Sequence, residues 1–429
     1  MNAPALPQTL KDNPRLDRWV RFEQPGKATV STGKVEIGQG VLTAMLQIAA
    51  EELDVAPSRI LLRSGDTEVT PNEGYTSGSL SIQIGGVALR AACAEVKQIF
   101  LDHAAAKLGA DARTLSVRDG AIFRNGEPTG LDYWSLANEV DLTQSASGRG
   151  RTKSITDYAL VGQSAERIDL ADKVFGRATY IHDMTLPGMR HARVIRQPNR
   201  GAAIETIDED AIRRAARGPV DIVRRGDFVA IVGEAETAVE LAAGAAPDRV
   251  RWSGVEPVAA FQEEARWLLQ RPSIDRVLGA PEPDEPARGV NRHEATYSRG
   301  YVAHASLGPS CGLAQFKDGR LEVWTHSQGV FPLRMALART LKLPTDAITV
   351  KHVQGPGCYG HNGADDAAAD AAVIAFLMPG VPIRVRWRRE EEFGFEPVSS
   401  AMVVTVRAEL DDAGRPADWT TEVWSGTHS

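Results

Sequence analysis

Two short segments near the amino terminus contain residue types that could bind a phosphorylated ligand. Residues 33–40 read GKVEIGQG, between a run of β character (residues 28–32) and a run of helical character (residues 41–53). Glycine lets the backbone approach a ligand closely, and the amides at a helix N-terminus favour an anion. Residues 76–81, TSGSLS, add hydroxyls and a glycine ahead of another helical run. The first segment alone is equally compatible with a purely structural turn.

A third segment, GPGCYG at residues 355–360, matches the G-x-G-x-x-G pattern of dinucleotide-binding folds. A strand, a helix and a second strand are predicted around it in βαβ order. However, Tyr359 is bulky for the tight turn, and His361 and the two residues after it delay the helix start. Acidic residues also follow where a pyrophosphate needs positive charge: Asp365, Asp366 and Asp370. An NAD(P)-dependent dehydrogenase is therefore a less favoured alternative.

Composition narrows the class of protein. The chain has 429 residues, enough for several domains, and its formal net charge of -7 gives no reason to expect nucleic acid as a partner. Its 3 cysteines (Cys93, Cys311 and Cys358) lack CxxC spacing and are too few to hold an iron–sulfur cluster on four thiolates. No apolar run reaches the roughly 20 residues of a membrane span, and no export signal is recognised. A cytoplasmic location is therefore expected.

Alternating strand and helix patterns must position the three segments. A polar stretch rich in Gly and Ser, residues 142–153, has the composition of a linker. A hairpin is predicted at residues 317–320. The other predicted strands cover residues 28–32, 60–63, 114–123, 190–195, 228–232, 347–353 and 383–387, and the predicted helices cover residues 41–53, 84–108, 237–246 and 364–377.

The wording of residues 33–55 and 65–92 strongly resembles the molybdenum hydroxylases of the xanthine dehydrogenase and aldehyde oxidase family. The resemblance is greatest to the subgroup that contains nicotinate dehydrogenase and isoquinoline 1-oxidoreductase, and it extends over residues 16–429. It implies an α+β, mixed α/β fold for a multi-domain molybdopterin-binding subunit with a small hammerhead α/β domain. The implied division is an N-terminal molybdopterin-binding segment in permuted order (1–141), a linker (142–160), the hammerhead domain (161–255), a connection (256–290) and a molybdopterin-binding domain incomplete at its C-terminus (291–429).

The resemblance also assigns roles to the three segments and to Gln328. In the family, a glutamine in the position of Gln328 hydrogen-bonds an oxygen on molybdenum, which makes Gln328 the implied catalytic residue. From the residues alone, a polar cap at a strand–helix junction is the simpler interpretation of Gln328. Gly78 would face the substrate. The implied cofactor-binding residues are Gly38, Gln39, Gly40, Thr76, Ser77, Gly78, Ser79, Ser81, Gly357, Cys358, Tyr359 and Gly360.

The implied reaction adds an oxygen from water to an electron-poor carbon of an N-heterocyclic aromatic compound or of an aldehyde. The implied cofactors are molybdenum–pyranopterin in its cytosine dinucleotide form and 2Fe–2S clusters on a partner. The implied partners are a small iron–sulfur subunit, a chain that supplies the C-terminal half, and a cytochrome acceptor.

The sequence departs from the family pattern in two ways. Family members continue for about as many residues again, and that part carries a glutamate general base, so no glutamate is assigned here. Residues 306–310, SLGPS, replace the pattern His-x-Pro-Met-Glu-Pro, which puts the substrate class of xanthine dehydrogenases in doubt. A non-catalytic scaffold, or a truncated fragment of such a subunit, is therefore the main alternative.

Four histidines could be gathered into a metal site, because histidine is the commonest metal ligand. Their spacing matches no HxxxH or HExxH pattern, and the family takes no molybdenum ligand from the protein. The sequence therefore predicts no metal-ligating residue, and it treats as structural or surface groups His304, His326, His352 and His361. Residues 390–392, three glutamates, are interpreted as a solvated helix start.

Overall fold

The computed structural model describes residues 6–199, 201–255, 264–279, 291–361 and 366–426. Its helices and its sheets of two, three and seven strands confirm the mixed α/β class. Among these residues, no helix combines the length and the apolar character that crossing a membrane requires. Most of the predicted connection (residues 256–290) lies outside the described residues, as do residues 362–365 at the expected start of a helix.

The amino-terminal segment packs helices against a small sheet in which β2 lies between β1 and β3. Strands β2 and β3 are parallel and α2 connects them, which is why the glycine turn stands at a strand–helix junction. Two helices here match the predictions, although a π-helical turn over Ser81–Gly86 precedes the second one. The elements in order are α1 (Gln8–Asp12), β1 (Val20–Gln24), β2 (Lys27–Thr32), α2 (Val41–Leu53), β3 (Ile60–Ser64), α3 (Val87–Leu108), β4 (Leu115–Arg118), β5 (Ala121–Arg124), β6 (Glu127–Asp132) and α4 (Tyr133–Leu136).

The single strand predicted over residues 114–123 was wrong. The chain turns back at Asp119 and Gly120, which both have positive φ, so the segment forms the antiparallel pair β4 and β5. A single aspartate–glycine pair inside a β-rich run is a hairpin signal that the prediction did not use.

The middle segment supplies strands that belong to a larger sheet. Strand β10 pairs with both β7 and β9, and β8 pairs with β11 in a sheet of their own. The elements in order are α5 (Leu170–Val174), β7 (Arg190–Val194), β8 (Ala203–Ile207), α6 (Glu209–Ala215), β9 (Asp221–Arg225), β10 (Phe228–Gly233), α7 (Glu236–Ala245) and β11 (Val250–Ser253).

The last segment completes that sheet. Its strand order is β15-β14-β13-β16-β7-β10-β9, so residues 190–233 and 311–386 share one sheet across the predicted domain boundary. Strands β12, β17 and β18 form a separate antiparallel sheet. The elements in order are β12 (Asn291–Arg299), β13 (Cys311–Lys317), β14 (Arg320–Thr325), α8 (Val330–Leu341), β15 (Ile348–His352), α9 (Asp366–Leu377), β16 (Ile383–Arg386), α10 (Arg389–Phe395), β17 (Met402–Leu410) and β18 (Pro416–Ser425).

Strand β10 is buried on both faces, because helices cover the sheet on each side. Successive strand side chains point in opposite directions. Ala230 and Val232 join the core beneath α8 and α9, whereas Val229 and Ile231 join the core beneath α6 and α7. A continuous apolar run, rather than an alternating one, follows from this double burial.

Backbone hydrogen bonds join the first and last segments directly. The Thr67 amide donates to the carbonyl of Val350 at 3.0 Å, and the Val350 amide donates to the Thr67 hydroxyl at 2.9 Å. The His352 amide donates to the carbonyl of Gly65 at 2.8 Å. The segment after β3 is therefore held against β15, which brings together motifs that are far apart in the sequence.

Candidate cofactor site

The glycine turn before α2 is closed by a buried carboxylate that the sequence analysis did not single out. Glu36 is 2% exposed, and its Oε1 accepts hydrogen bonds from the amides of Gly38 (2.9 Å) and Gly40 (2.8 Å). Gly38 and Gly40 both have positive φ, which favours glycine and aims their amides at this carboxylate. A negative charge at the helix N-terminus is the stabilising arrangement. The anion at this site is thus the side chain of Glu36.

This geometry corrects the expected use of the turn, because the amides of Gly38 and Gly40 are already occupied. Gln39 is exposed, but its side chain folds back: its Oε1 accepts from the Ile37 amide at 2.6 Å and its Nε2 donates to the Val35 carbonyl at 3.1 Å. A ligand can meet the outer surface of the turn but does not meet these amides.

The serine-rich segment presents free hydroxyls. Ser77, Gly78 and Ser79 are exposed and Ser81 is half-buried, just before the π-helical turn. Among the described residues, the hydroxyls of the three serines form no hydrogen bond. Gly78 and Ser79 both have positive φ, so the chain makes a tight projecting loop. Hydroxyls both donate and accept, and they suit the phosphate and ring nitrogen groups of a nucleotide.

Gln328 brings the second and third segments together. Its Nε2 donates to the carbonyl of Thr76 at 2.8 Å, and the Thr76 amide donates to the Gln328 carbonyl at 2.8 Å. Its Oε1 accepts from the Cys358 thiol at 3.2 Å. Gln328 is 4% exposed, and Thr76 and Cys358 are each 3% exposed. Three residues that sequence reasoning assigned to one site therefore touch one another.

The loop over residues 355–360 has a strained and close-packed backbone. Tyr359 has φ of 56°, between Gly357 (φ 105°) and Gly360 (φ 102°). A Cβ on Gly357 would stand 3.0 Å from the Tyr359 hydroxyl. A bulky residue in the left-handed region is uncommon and is found preferentially at functional sites. The Tyr359 ring is 62% exposed and projects from the loop, whereas Cys358 points inward to Gln328.

Two of the four histidines have structural partners around this loop. The Cys311 amide donates to His326 Nε2 at 3.0 Å, and burial lowers the pKa of His326 well below its usual range, so the ring is neutral. His352 spans two segments, since its Nδ1 lies 3.0 Å from the Ser327 carbonyl and its Nε2 lies 3.0 Å from the Glu36 carbonyl. These two rings hold the glycine turn and the Gln328 segment together.

The strand order is unlike that of a dinucleotide-binding unit. Strands β15 and β16 flank the loop and α9 in sequence, but β14 and β13 lie between them in the sheet. A Rossmann unit places the corresponding strands next to each other. The match of residues 355–360 to the dinucleotide pattern is therefore a coincidence of letters, and the geometry disfavours the NAD(P)-dependent alternative.

Comparison with protein families finds two matches to the molybdopterin cofactor-binding domain. One covers residues 4–166, which include the glycine turn and the serine-rich segment. The other covers residues 283–427, which include Gln328 and the loop over residues 355–360.

Curated relatives match nearly the whole chain. A nicotinate dehydrogenase component from Pseudomonas putida is 34% identical over 97% of this chain, which spans 35% of that relative. The beta component of isoquinoline 1-oxidoreductase from Brevundimonas diminuta is 24% identical over 91% of this chain, which spans 56% of that relative. Among solved structures, quinoline 2-oxidoreductase from Pseudomonas putida 86 is 18% identical, covers 61% of this chain and 39% of its own, and has a TM-score of 0.47. The chain thus spans between about a third and about half of these relatives.

Proposed function

The chain belongs to the family of molybdopterin-binding oxidoreductase subunits, and from this premise we propose that it forms part of a hydroxylase acting on an N-heterocyclic aromatic compound or an aldehyde. The observation that carries the proposal is the junction of Gln328 with Thr76 and Cys358. It joins one residue from each of three motifs that sequence reasoning linked to the cofactor.

The described residues fit a pterin nucleotide in part. The exposed hydroxyls of Ser77, Ser79 and Ser81 offer donors to phosphate oxygens, and Gly78 leaves room for close approach, because a Cβ there would touch only the side chain of Leu80. The amides of Gly38 and Gly40 do not fit this use, since Glu36 occupies them. The cofactor would therefore rest on the serine-rich loop and on the outer face of the glycine turn.

Gln328 retains the capacity to bind an oxygen of the cofactor. A side-chain amide has two N–H donors, and the bond to the Thr76 carbonyl uses one of them. The Cys358 thiol fixes the amide oxygen, so the remaining N–H has a set direction. A neutral donor held in a buried site favours a developing negative charge without adding a ligand.

The proposed reaction converts a C–H group and water into C–OH, two electrons and two protons. When bound, the molybdenum–pyranopterin, proposed in its cytosine dinucleotide form, supplies oxygen transfer and accepts the electrons. We propose an iron–sulfur partner subunit for the electrons, because the described part of this chain offers only three buried, separate cysteines. The names of relatives as subunits of larger enzymes support a multi-subunit assembly.

The test is a product assay on the complex purified with its neighbouring subunits. The complex is incubated with nicotinate, isoquinoline or an aromatic aldehyde in heavy-oxygen water, and products are analysed by mass spectrometry. We expect one heavy oxygen in the product of at least one substrate. A molybdenum-loaded complex that hydroxylates none of them, or that takes the oxygen from air, would refute the proposal.

A non-catalytic scaffold is the second candidate. The observation that favours it is the occupation of the Gly38 and Gly40 amides by Glu36, which removes donors expected for the cofactor. A scaffold would bind the partner subunits and leave the complex free of molybdenum through this chain. Metal analysis of the complex separates the two candidates.

A further inference from the structure

Two histidines that the sequence treats as structural meet two buried glutamates beyond the loop over residues 355–360. His304, His361 and Glu396 each place a ligand atom within 4.8 Å of the others. A second carboxylate, Glu392 Oε2, lies 3.7 Å from His361 Nε2. The solvated helix start predicted for residues 390–392 was wrong for Glu392, which is 0% exposed.

The two glutamates share an arrangement that leaves one oxygen of each unsatisfied. Glu392 Oε1 accepts from the Ser310 amide at 2.5 Å, and Glu396 Oε1 accepts from the His304 amide at 2.8 Å. The other oxygen of each glutamate, together with His304 Nδ1, is buried without a hydrogen-bond partner among the described residues. Buried carboxylates without partners are costly, and they normally have a counter-charge or a metal ion.

The orientation of His361 suits metal ligation. Its Nδ1 lies 2.9 Å from the Cys358 carbonyl, so that nitrogen carries the proton and Nε2 has a free lone pair. A backbone carbonyl that fixes the tautomer is the usual companion of a metal-ligating histidine. Within the protein, Nε2 meets only the Ser310 hydroxyl at 3.2 Å and the more distant carboxylate of Glu392.

We propose that His304, His361 and Glu396, with Glu392 as a fourth ligand, form a binding site for a divalent transition-metal ion, with Zn²⁺ as the best match. Two imidazoles and two carboxylates suit Zn²⁺, whereas Ca²⁺ and Mg²⁺ prefer oxygen alone. Two negative charges balance the ion. Ligand atoms about 2.0–2.2 Å from a tetrahedral ion stand about 3.3 Å apart, so the cluster must contract by roughly 1–1.5 Å.

The site is structural in its proposed effect and is separate from the pterin. His361 directly follows Gly360, so a bound ion would anchor the strained loop that carries Cys358 against Gln328. Glu392 lies on α10 and Glu396 follows its end. The ion would therefore join this loop, the segment before β13 and α10.

The test is metal binding to the untagged full chain after removal of metal by a chelator. Zn²⁺ is titrated by calorimetry, and Co²⁺ is followed by its visible absorption. We expect one saturable site, with affinity lowered by at least roughly 10–100-fold in Glu396→Gln, the cost seen even for outer-sphere changes. His304→Ala is a second variant, and circular dichroism confirms folding. His103→Ala, at an exposed ion pair on α3, should bind as the unchanged chain does.

Three outcomes would overturn the proposal. The first is no saturable Zn²⁺ or Co²⁺ binding by the folded chain. The second is unchanged affinity in a folded Glu396→Gln or His304→Ala variant. The third is an intense thiolate-to-cobalt absorption band, which would assign the ion to the cysteines. Each readout is independent of pterin and of enzymatic activity, so failure here leaves the proposed function intact.

Discussion

Gln328 links the two molybdopterin-binding regions through its amide. Residues 252 positions apart in sequence exchange two hydrogen bonds, one from the Gln328 side chain and one from the Thr76 amide. Both residues are buried, so water cannot replace a lost partner. An unsatisfied buried carbonyl costs about 1–3 kcal/mol, more than the bond itself contributes on average.

Replacing Gln328 should therefore destabilise the fold as well as the site. We expect Gln328→Ala to lower the free energy of unfolding by about 1–3 kcal/mol, because it leaves the Thr76 carbonyl and the Cys358 thiol without this partner. Urea denaturation followed by tryptophan fluorescence measures the change. Gln315→Ala is the matched control, since its Nε2 donates to the carbonyl of Gly380 at an exposed position. Equal losses in both variants would contradict the account.

Helices α2 and α3 hold the stretch that has the composition of a linker. Glu95 on α3 accepts from the amides of Ser147 (2.7 Å) and Gly148 (2.9 Å). Glu51 on α2 contacts Lys153 Nζ at 2.7 Å, and its other oxygen accepts from the amides of Ala159, Leu160 and Val161. Polar composition predicted an irregular chain, but only the helices show that buried carboxylates fix its path.

This arrangement predicts an acid-sensitive contribution to stability. Burial acts to raise the pKa of Glu51, but Lys153 and the three amides outweigh it and lower the pKa to about 2. A lowered folded-state pKa stabilises the protein above the unfolded pKa of about 4.3, and this stability is lost as pH falls toward 2. The contribution is roughly 2–3 kcal/mol.

The expected result is a smaller pH dependence in Glu51→Gln. Urea midpoints are compared at pH about 6 and about 3, within the window set by the two pKa values. The variant should be less stable at the higher pH and should approach the unchanged chain at the lower pH. Glu127→Gln, on exposed β6, should retain the original dependence. If Glu51→Gln retained it too, the assignment would be incorrect.

Strand β13 and α9 are in backbone contact at Gly312. A Cβ at this position would stand 2.5 Å from Ala368 Cα, so the helix or the strand would have to move. We expect Gly312→Ala to cost about 1–3 kcal/mol and to lower the melting temperature. Gly244→Ala on α7 is the matched control, because a Cβ there meets nothing within 4 Å. Alanine should stabilise that helix by about 0.5–1 kcal/mol, and the opposite ranking would contradict the packing described.

At the scale of the whole molecule, local patterns predicted most elements of the fold. Helix α2 and strand β3 follow from apolar periodicity and glycine signals, because these depend on neighbours in sequence. The seven-stranded sheet could not be predicted in this way. Its strand order joins β7 to β16 across more than one hundred residues, and no local pattern encodes that pairing.

The site was predictable in membership but not in hydrogen bonding. The resemblance named Thr76, Gln328 and Cys358, and the structure places them in contact. It did not reveal Glu36, whose only signal is a carboxylate two residues before the first glycine whose amide it binds. Nor did it reveal the meeting of His304 with Glu396, which depends on the packing of α10.

The central claim is that this chain holds a molybdenum–pterin nucleotide, and metal content tests it most directly. The chain is purified with its neighbouring subunits from a host that makes the cytosine dinucleotide form. Molybdenum is measured by elemental mass spectrometry, and released cytidine monophosphate is measured in the same sample. The account predicts near-stoichiometric amounts of both, reduced when Ser77, Ser79 and Ser81 are replaced by alanine. A folded complex with neither molybdenum nor the nucleotide would contradict it.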